Sequence, residues 1–266
     1  MKLKQAIDLT SVHNARELGG YITPDGREIR RGLLLRTGNL NEISAEDICK
    51  LKDVYRLRHI IDFRMELEMP SPGDAAVEGA EYHHLDVIDS SAFDDADDDI
   101  ESLDLIQTTN LTIQAGMFGE DMYIGFLESD LGKKAYAEFF RILLSVEPDR
   151  AVLWHCTGGK DRTGLAAMLL LSAFGADEEL IMEDYLLTNE FNSQRVEATR
   201  QYLAAKGCEP GFIDKAVLVF DAVDESFMRS AMEHLKKEYG SVAGYIRDVL
   251  NINQDEINSL KEKYLV

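Results

Sequence analysis

Residues 151–174 read AVLWHCTGGKDRTGLAAMLLLSAF, and the fold follows from how that stretch is parsed. AVLWH is a short apolar strand ending at His155. From Gly164 to Phe174 the chain is apolar on nearly every side, the pattern of a buried helix, and Gly175 is its natural stop. Between them runs His155-Cys156-Thr157-Gly158-Gly159-Lys160-Asp161-Arg162-Thr163-Gly164. A strand–loop–helix junction aims backbone N–H groups and the positive end of a helix dipole at one spot, a ready anion site. Gly158 and Gly159 let the loop curl so that successive N–H groups converge. Cys156 opens the loop, where the thiolate, the nucleophilic form, is favoured. Arg162, six positions on, begins the helix, and its planar fork suits two phosphate oxygens at once. Thr163 can donate its hydroxyl to the thiolate.

Other readings of this loop fail. A nucleotide-binding loop needs a Gly separated by four residues from its Gly-Lys pair and Ser or Thr after the Lys; Trp154 and Asp161 hold those positions. A redox pair needs a second nearby cysteine, and Cys49 and Cys208 are far off in sequence. Cys-x5-Arg alone recurs by chance, but the ten-residue string in this setting is far rarer.

Outward from the loop, strands concentrate in the first 155 residues and helices dominate afterwards. Pro24-Asp25-Gly26 marks a turn between YIT and EIR, and LLLRT (33–37) follows as a short strand. Ser44-Ala-Glu-Asp47 resembles a capping box opening a helix to about Leu51. Residues 59–63 and 81–85 are further strands, and apolar spacing predicts a helix over 133–146. Helices are predicted over 177–190, 193–206, 224–239, 241–250 and 255–264. Alternating strands and helices indicate an α/β fold with a partly parallel sheet. Residues 94–104, DDADDDIESLD, carry seven carboxylates in eleven positions and read as a solvated loop. After it, 105–131 is apolar but irregular, one or two short helices that could cover a site as a lid. No Pro/Gly/Ser linker divides the 266 residues, so one domain is expected.

Composition narrows the function. With 49 Asp and Glu against 28 Lys and Arg, the formal net charge is −21, which excludes a generic nucleic-acid binder and argues against docking on an anionic membrane. The longest uninterrupted apolar candidate, 164–175, is too short to span a bilayer, and the N-terminus lacks the apolar core of a signal peptide. Three widely spaced cysteines fit neither a disulfide framework nor a zinc site and suggest a reducing cytoplasm. His83 and His84 lack partners at metal-ligand spacing and read as ordinary strand residues.

HCTGGKDRTG resembles the signature loop of cysteine-dependent phosphatases, and its Gly-Lys-Asp-Arg-Thr-Gly form is similar to that of the atypical bacterial tyrosine phosphatases, whose members range from tyrosine-specific to dual-specificity and phosphoinositide activity. Asn14-Ala-Arg-Glu-Leu-Gly-Gly-Tyr21, Arg36-Thr-Gly-Asn-Leu40, Ile61-Asp-Phe-Arg64, Asp184-Tyr-Leu-Leu-Thr-Asn-Glu190 and Tyr239-Gly-Ser-Val-Ala-Gly-Tyr245 also look like family segments, in the expected order. The resemblance implies a single α/β domain with a central, mostly parallel sheet, a helical C-terminal half and a variable helical lid at about 90–130.

It also implies a mechanism: Cys156 attacks phosphorus to form a phosphocysteine, Arg162 and the loop N–H groups hold the equatorial oxygens, and no metal or organic cofactor is needed. For the general acid, Asp161 is the first candidate, with Asp86 and Asp89 as alternatives. Expected substrate contacts are Thr157, Gly158, Gly159, Lys160, Thr163 and Arg64. Lys160 could meet a second acidic group or simply be solvated; Arg64 could pair with Asp62 or touch substrate, and Arg36 shares that ambiguity. His155 is expected to bond loop backbone, and residues 14–21 to pack around the loop. The expected partner is a phosphorylated protein, above all phosphotyrosine, or a small phosphomonoester. The acidic field makes polyphosphorylated inositols a poorer fit. The rival reading is a phosphate-binding module without catalysis.

Overall fold

The computed structural model describes residues 4–69, 73–89 and 103–266. Among these residues five strands form one sheet: β1 (Arg16–Glu17), β2 (Leu34–Thr37), β3 (Leu57–Asp62), β4 (Glu81–His84) and β5 (Ala151–His155), in the order β1-β2-β5-β3-β4. Only the β1–β2 pairing is antiparallel; β2–β5, β5–β3 and β3–β4 are parallel. This is the expected α/β fold with a mostly parallel sheet. Alternation along β5 sends Val152 and Trp154 to one core and Ala151 and Leu153 to the other, so the central strand is buried on both faces.

The first face is covered by α4 (Asp130–Ser145) and α5 (Asp161–Phe174). The helix α5 is buried along almost its whole length and ends where Gly175 turns left-handed at φ 90°. Trp154 locks the junction: its ring packs edge-on against Phe139 at 5.4 Å, and its Nε1 donates to the Thr163 carbonyl at 3.1 Å. The other face is closed by N-terminal residues and α1 (Ala45–Cys49), which continues as one turn of π-helix over Lys50–Val54.

After β4 the chain builds α2 (Leu105–Gln114) and α3 (Glu120–Glu128), where one or two short helices were expected. The helical C-terminal half comprises α6 (Glu178–Phe191), α7 (Ser193–Ala205), α8 (Pro210–Phe220), α9 (Glu225–Tyr239), α10 (Val242–Asp248) and α11 (Gln254–Tyr264). Among the described residues no helix is long and apolar enough to cross a membrane. Most of the acidic stretch 94–104 lies outside the described residues.

Three local expectations change. Ser44 does cap α1 by accepting from the Asp47 amide at 3.1 Å, but no reciprocal capping box forms. The Asp47 carboxylate instead accepts from Thr10, Ser11 and Lys50, because tying down the N-terminal segment satisfies more donors than one orphan amide would. Arg16–Glu17, expected only to pack, adds an edge strand. The helix α8 was not anticipated, although Pro210 at its first turn is a recognised start signal.

The C-terminal half is joined to the sheet by buried charge. Asp184 of α6 receives Arg16 Nε at 3.4 Å, the Tyr21 hydroxyl at 3.3 Å and a close contact from Arg36 Nη1. Burial, with Arg36 alongside, pulls Arg16 down to about 10. Asp184→Asn should therefore leave two buried guanidiniums sharing no carboxylate and cost about 3–5 kcal/mol, read as a lowered urea midpoint.

Candidate active site

Parallel β2, β5 and β3 end together, so the segments following Thr37, His155 and Asp62 share one edge of the sheet, where open α/β folds bind ligands. The loop 156–160 curls there and feeds α5. Its carbonyls are pulled outward. Thr157 O accepts from the Asn39 amide at 3.1 Å and from Asn39 Nδ2 at 3.2 Å. Gly158 O accepts from Asn14 Nδ2 at 3.2 Å, and Gly159 O from the same atom at 2.9 Å and from Arg36 Nη2 at 3.0 Å. In a trans peptide the N–H lies opposite the C=O, so the amides of Gly158, Gly159 and Lys160 turn away from these partners, toward the concave side of the loop.

Gly159 makes the curl possible. It has φ 63°, and a Cβ there would sit 2.2 Å from the Thr37 carbonyl oxygen. Asn14, also left-handed at φ 54°, is held by Arg16 while its amide reaches the loop. The sequence match at 14–21 thus has a physical task, and Arg36 is a loop brace.

Arg162 closes the ring from the first turn of α5. Both ends of its fork engage Glu68, with Nη2 to Oε1 at 2.8 Å, and Nη1 also donates to the Phe63 carbonyl at 3.3 Å. Thr157 Oγ1 donates to Glu68 Oε1 at 2.6 Å. Burial disfavours both charges, yet each offsets the other's penalty: Arg162 stays above its usual range and Glu68 below the usual carboxylate range. The fork is pinned along its Nη edge, leaving the Nε edge outside the Glu68 pairing. Cys156, at the head of the loop, is buried.

A 560 Å³ cavity opens over the loop. Its polar floor includes Thr157, Gly158, Lys160, Asp161, Arg162 and Glu68; Met117, Phe118, Met122 and Phe126 wall one side, and Leu218 to Phe220 of α8 another. Cys156 itself does not line the cavity; it lies buried beneath a loop whose next residues, Thr157 and Gly158, do. The tyrosine phosphatase family model matches residues 7–266. The chain belongs to the tyrosine phosphatase family. It is 30% identical over 260 residues to a Cupriavidus necator protein named as a tyrosine-protein phosphatase, covering 96% of this chain and 86% of that one. It is 26% identical over 276 residues to the triple specificity protein phosphatase PtpB of Mycobacterium tuberculosis, covering 96% and 97%. A Nostoc commune tyrosine-protein phosphatase shares 30% identity over 122 residues, 44% of this chain and 40% of that one.

In this phosphatase Asp161 lies on the cavity floor, where its Oδ1 accepts from the Tyr123 hydroxyl at 2.6 Å and its Oδ2 is 3.5 Å from Lys160 Nζ. Complete burial keeps Tyr123 far above the ordinary phenol range, so it remains a donor. Tyr185 supports it, hydroxyl to hydroxyl, at 2.8 Å. Neither Asp86 nor Asp89 lines the cavity. Burial raises Asp86, against the pull of His84 and Arg162.

Several expected contacts are relocated. Lys160 is not solvated: it is buried at the cavity floor, and Nζ donates to the carbonyls of Leu218 in the last turn of α8 and of Ala222 just past it. A cation beside unsatisfied helix-terminal carbonyls is favourable, and this one ties α8 to the loop. Arg64 does not touch the cavity. It is fully buried behind the loop, bonded to Asp62, to Asp74 at 2.8 Å and to Asn41 at 2.8 Å, because a guanidinium between two carboxylates has no reason to turn outward. The Thr163 hydroxyl is buried in α5 and makes no hydrogen bond among the described residues, so it donates to no thiolate here. Gly159 shapes the loop and does not line the cavity. His155 Nδ1 meets its neighbour's backbone, Cys156 O, at 3.4 Å, while Nε2 lies 3.1 Å from Asp74.

Glu68 and Tyr123 escaped the sequence reading. A carboxylate six residues past the end of β3 is a weak signal, since only sheet topology brings that point to Arg162. Glu68→Ala should release the Arg162 fork and lower kcat/KM roughly 100-fold with little loss of secondary structure. His13, whose ring packs on Gly38, is held down at about 4 by burial and then by Arg195. The folded state refuses a proton that the unfolded chain accepts at about 6.5, so stability should be full above 6.5 and fall as pH drops toward 4. A His13→Gln variant should show a shallower decline in urea midpoint over that window.

Proposed function

We propose that this phosphatase hydrolyses protein phosphotyrosine through a phosphocysteine intermediate, with Asp161 as general acid. The observation that carries the reading is the set of three loop carbonyls held outward, which leaves the amides of Gly158 to Lys160 to bind equatorial phosphate oxygens above Cys156. The Cys156 thiolate attacks phosphorus in line, and the phosphorus–oxygen bond to the leaving group breaks. Asp161 gives that oxygen its proton, then takes one from the water that hydrolyses the phosphocysteine and restores the thiolate. Arg162, immobilised by Glu68, compensates the charge spreading over the phosphoryl oxygens. Thr157 and Gly158 border the phosphate seat.

The apolar vault suits an aromatic ring, which favours phosphotyrosine over shorter phosphoserine; phosphothreonine and monophosphorylated phosphoinositides are secondary candidates. We read the chain as one phosphatase domain in which α2 and α3 form a lid. Three unpaired thiols support work in a reducing cytoplasm.

Turnover of phosphotyrosine, phosphoserine and phosphatidylinositol-phosphate substrates tests this, with no metal added. Wild type should prefer phosphotyrosine, and Cys156→Ser should be inactive. Asp161→Asn should lose roughly 100-fold or more on substrates with poor leaving groups and little on an activated aryl phosphate. Equal loss on both would move the acid role to Asp86 or Asp89. Phosphate binding without turnover by wild type would make the chain a binding module.

A further inference from the structure

The parallel pairing of β3 with β4 sets His59 opposite Glu81 and Ile61 opposite His83. Side chains two apart on a strand share a face, so Glu81 and His83 flank the ring of His59 on the neighbouring strand. His59 Nδ1 and His83 Nε2 face each other at 2.8 Å. The two oxygens of Glu81 divide between them, Oε2 at 3.9 Å from His59 Nδ1 and Oε1 at 3.9 Å from His83 Nε2. From the sequence the two histidines are 24 residues apart and share no ligand spacing; the sheet register alone makes them neighbours.

We propose that His59, His83 and Glu81 form a zinc-binding site at the outer edge of the sheet. Two nitrogens on one tetrahedral zinc at about 2.0–2.1 Å stand about 3.3 Å apart. The histidine pair therefore has to open by about half an ångström, and the carboxylate has to close by a similar amount. The proton now shared between the rings moves to the donor ring's other nitrogen, so both present lone pairs and the set carries one negative charge. Nitrogen donors select against magnesium and calcium and for zinc. Glu81 is 56% exposed, which gives the ion a way in and leaves room for water as a fourth ligand.

This site is separate from the phosphatase centre. His59 sits three residues before Asp62, about 10 Å back along β3 from the catalytic edge. A second convergence of donors, Asp62, Asp74 and His155, lies behind the loop, but the Arg64 guanidinium already occupies it, 2.6 Å from Asp62 and 2.8 Å from Asp74. Among the described residues, the His59 group is the cluster of this kind whose donors meet no resident cation. A bound zinc would pin the outer strand β4 to β3.

The test is competition for zinc against a chromophoric chelator, using the full chain with Cys49→Ser, Cys156→Ser and Cys208→Ser so that no thiol contributes. One equivalent of zinc should bind in the micromolar range, and cobalt should give the visible spectrum of a tetrahedral nitrogen–oxygen site. His83→Ala and Glu81→Gln should each weaken zinc about tenfold or more. His234→Ala, whose ring pairs with Glu128 elsewhere, should change nothing. In the cysteine-intact chain, His83→Ala should keep its phosphatase activity, establishing that the fold survives. No zinc uptake at micromolar concentration, or uptake that persists in His83→Ala, overturns the assignment.

Discussion

Everything at the active centre depends on the outward pull on three carbonyls. Left alone, a Cys-Thr-Gly-Gly-Lys segment has no reason to hold its amides inward. Asn39, Asn14 and Arg36 supply the reason, each holding a carbonyl at 2.9–3.2 Å. These braces come from the N-terminal forty residues and from β2, far from the loop in sequence. Arg36 and Arg16 are in turn anchored by Asp184 on α6. A chain of charge-assisted hydrogen bonds thus runs from the C-terminal helices through the sheet to the loop 156–160. Its members are buried, where such bonds are strong when complete and costly when broken.

The same accounting explains how so acidic a chain can receive a phosphate. Its buried guanidiniums are each matched: Arg16 and Arg36 share Asp184, Arg64 lies between Asp62 and Asp74, and Arg162 is held by Glu68. Arg162 differs in facing the cavity. Lys160, the other cation of the loop, is engaged by the Leu218 and Ala222 carbonyls and by Asp161. Attraction for an anion is therefore concentrated on the loop amides and one edge of Arg162, against a long-range field of the opposite sign.

Strand β5, helix α5, the Gly175 stop and most C-terminal helices were legible because each rests on local signals: apolar runs, helical spacing and caps. The loop string was legible for the same reason, since all its parts lie within ten residues. Helix α8 was missed although Pro210 marks its start, because nothing local shows that Leu218 to Phe220 wall a cavity. Glu68 was missed because a lone carboxylate in a short 3-10 turn has no signature until Arg162 is placed beside it. The partners of Lys160 and Arg64 were out of view for the same reason: they come from other elements.

The sequence by itself determined the fold class and the family, because those follow from short-range patterns that need no knowledge of what packs against them. Tertiary structure alone decided which side chains brace the loop, that Glu68 aligns Arg162, that Tyr123 holds Asp161, and that His59 meets His83 across two strands. The physical reason is that hydrogen bonds and ion pairs act over about 3 Å, whereas the residues making them lie tens to more than a hundred positions apart, and only the register of a sheet and the packing of helices on it bring them within that reach.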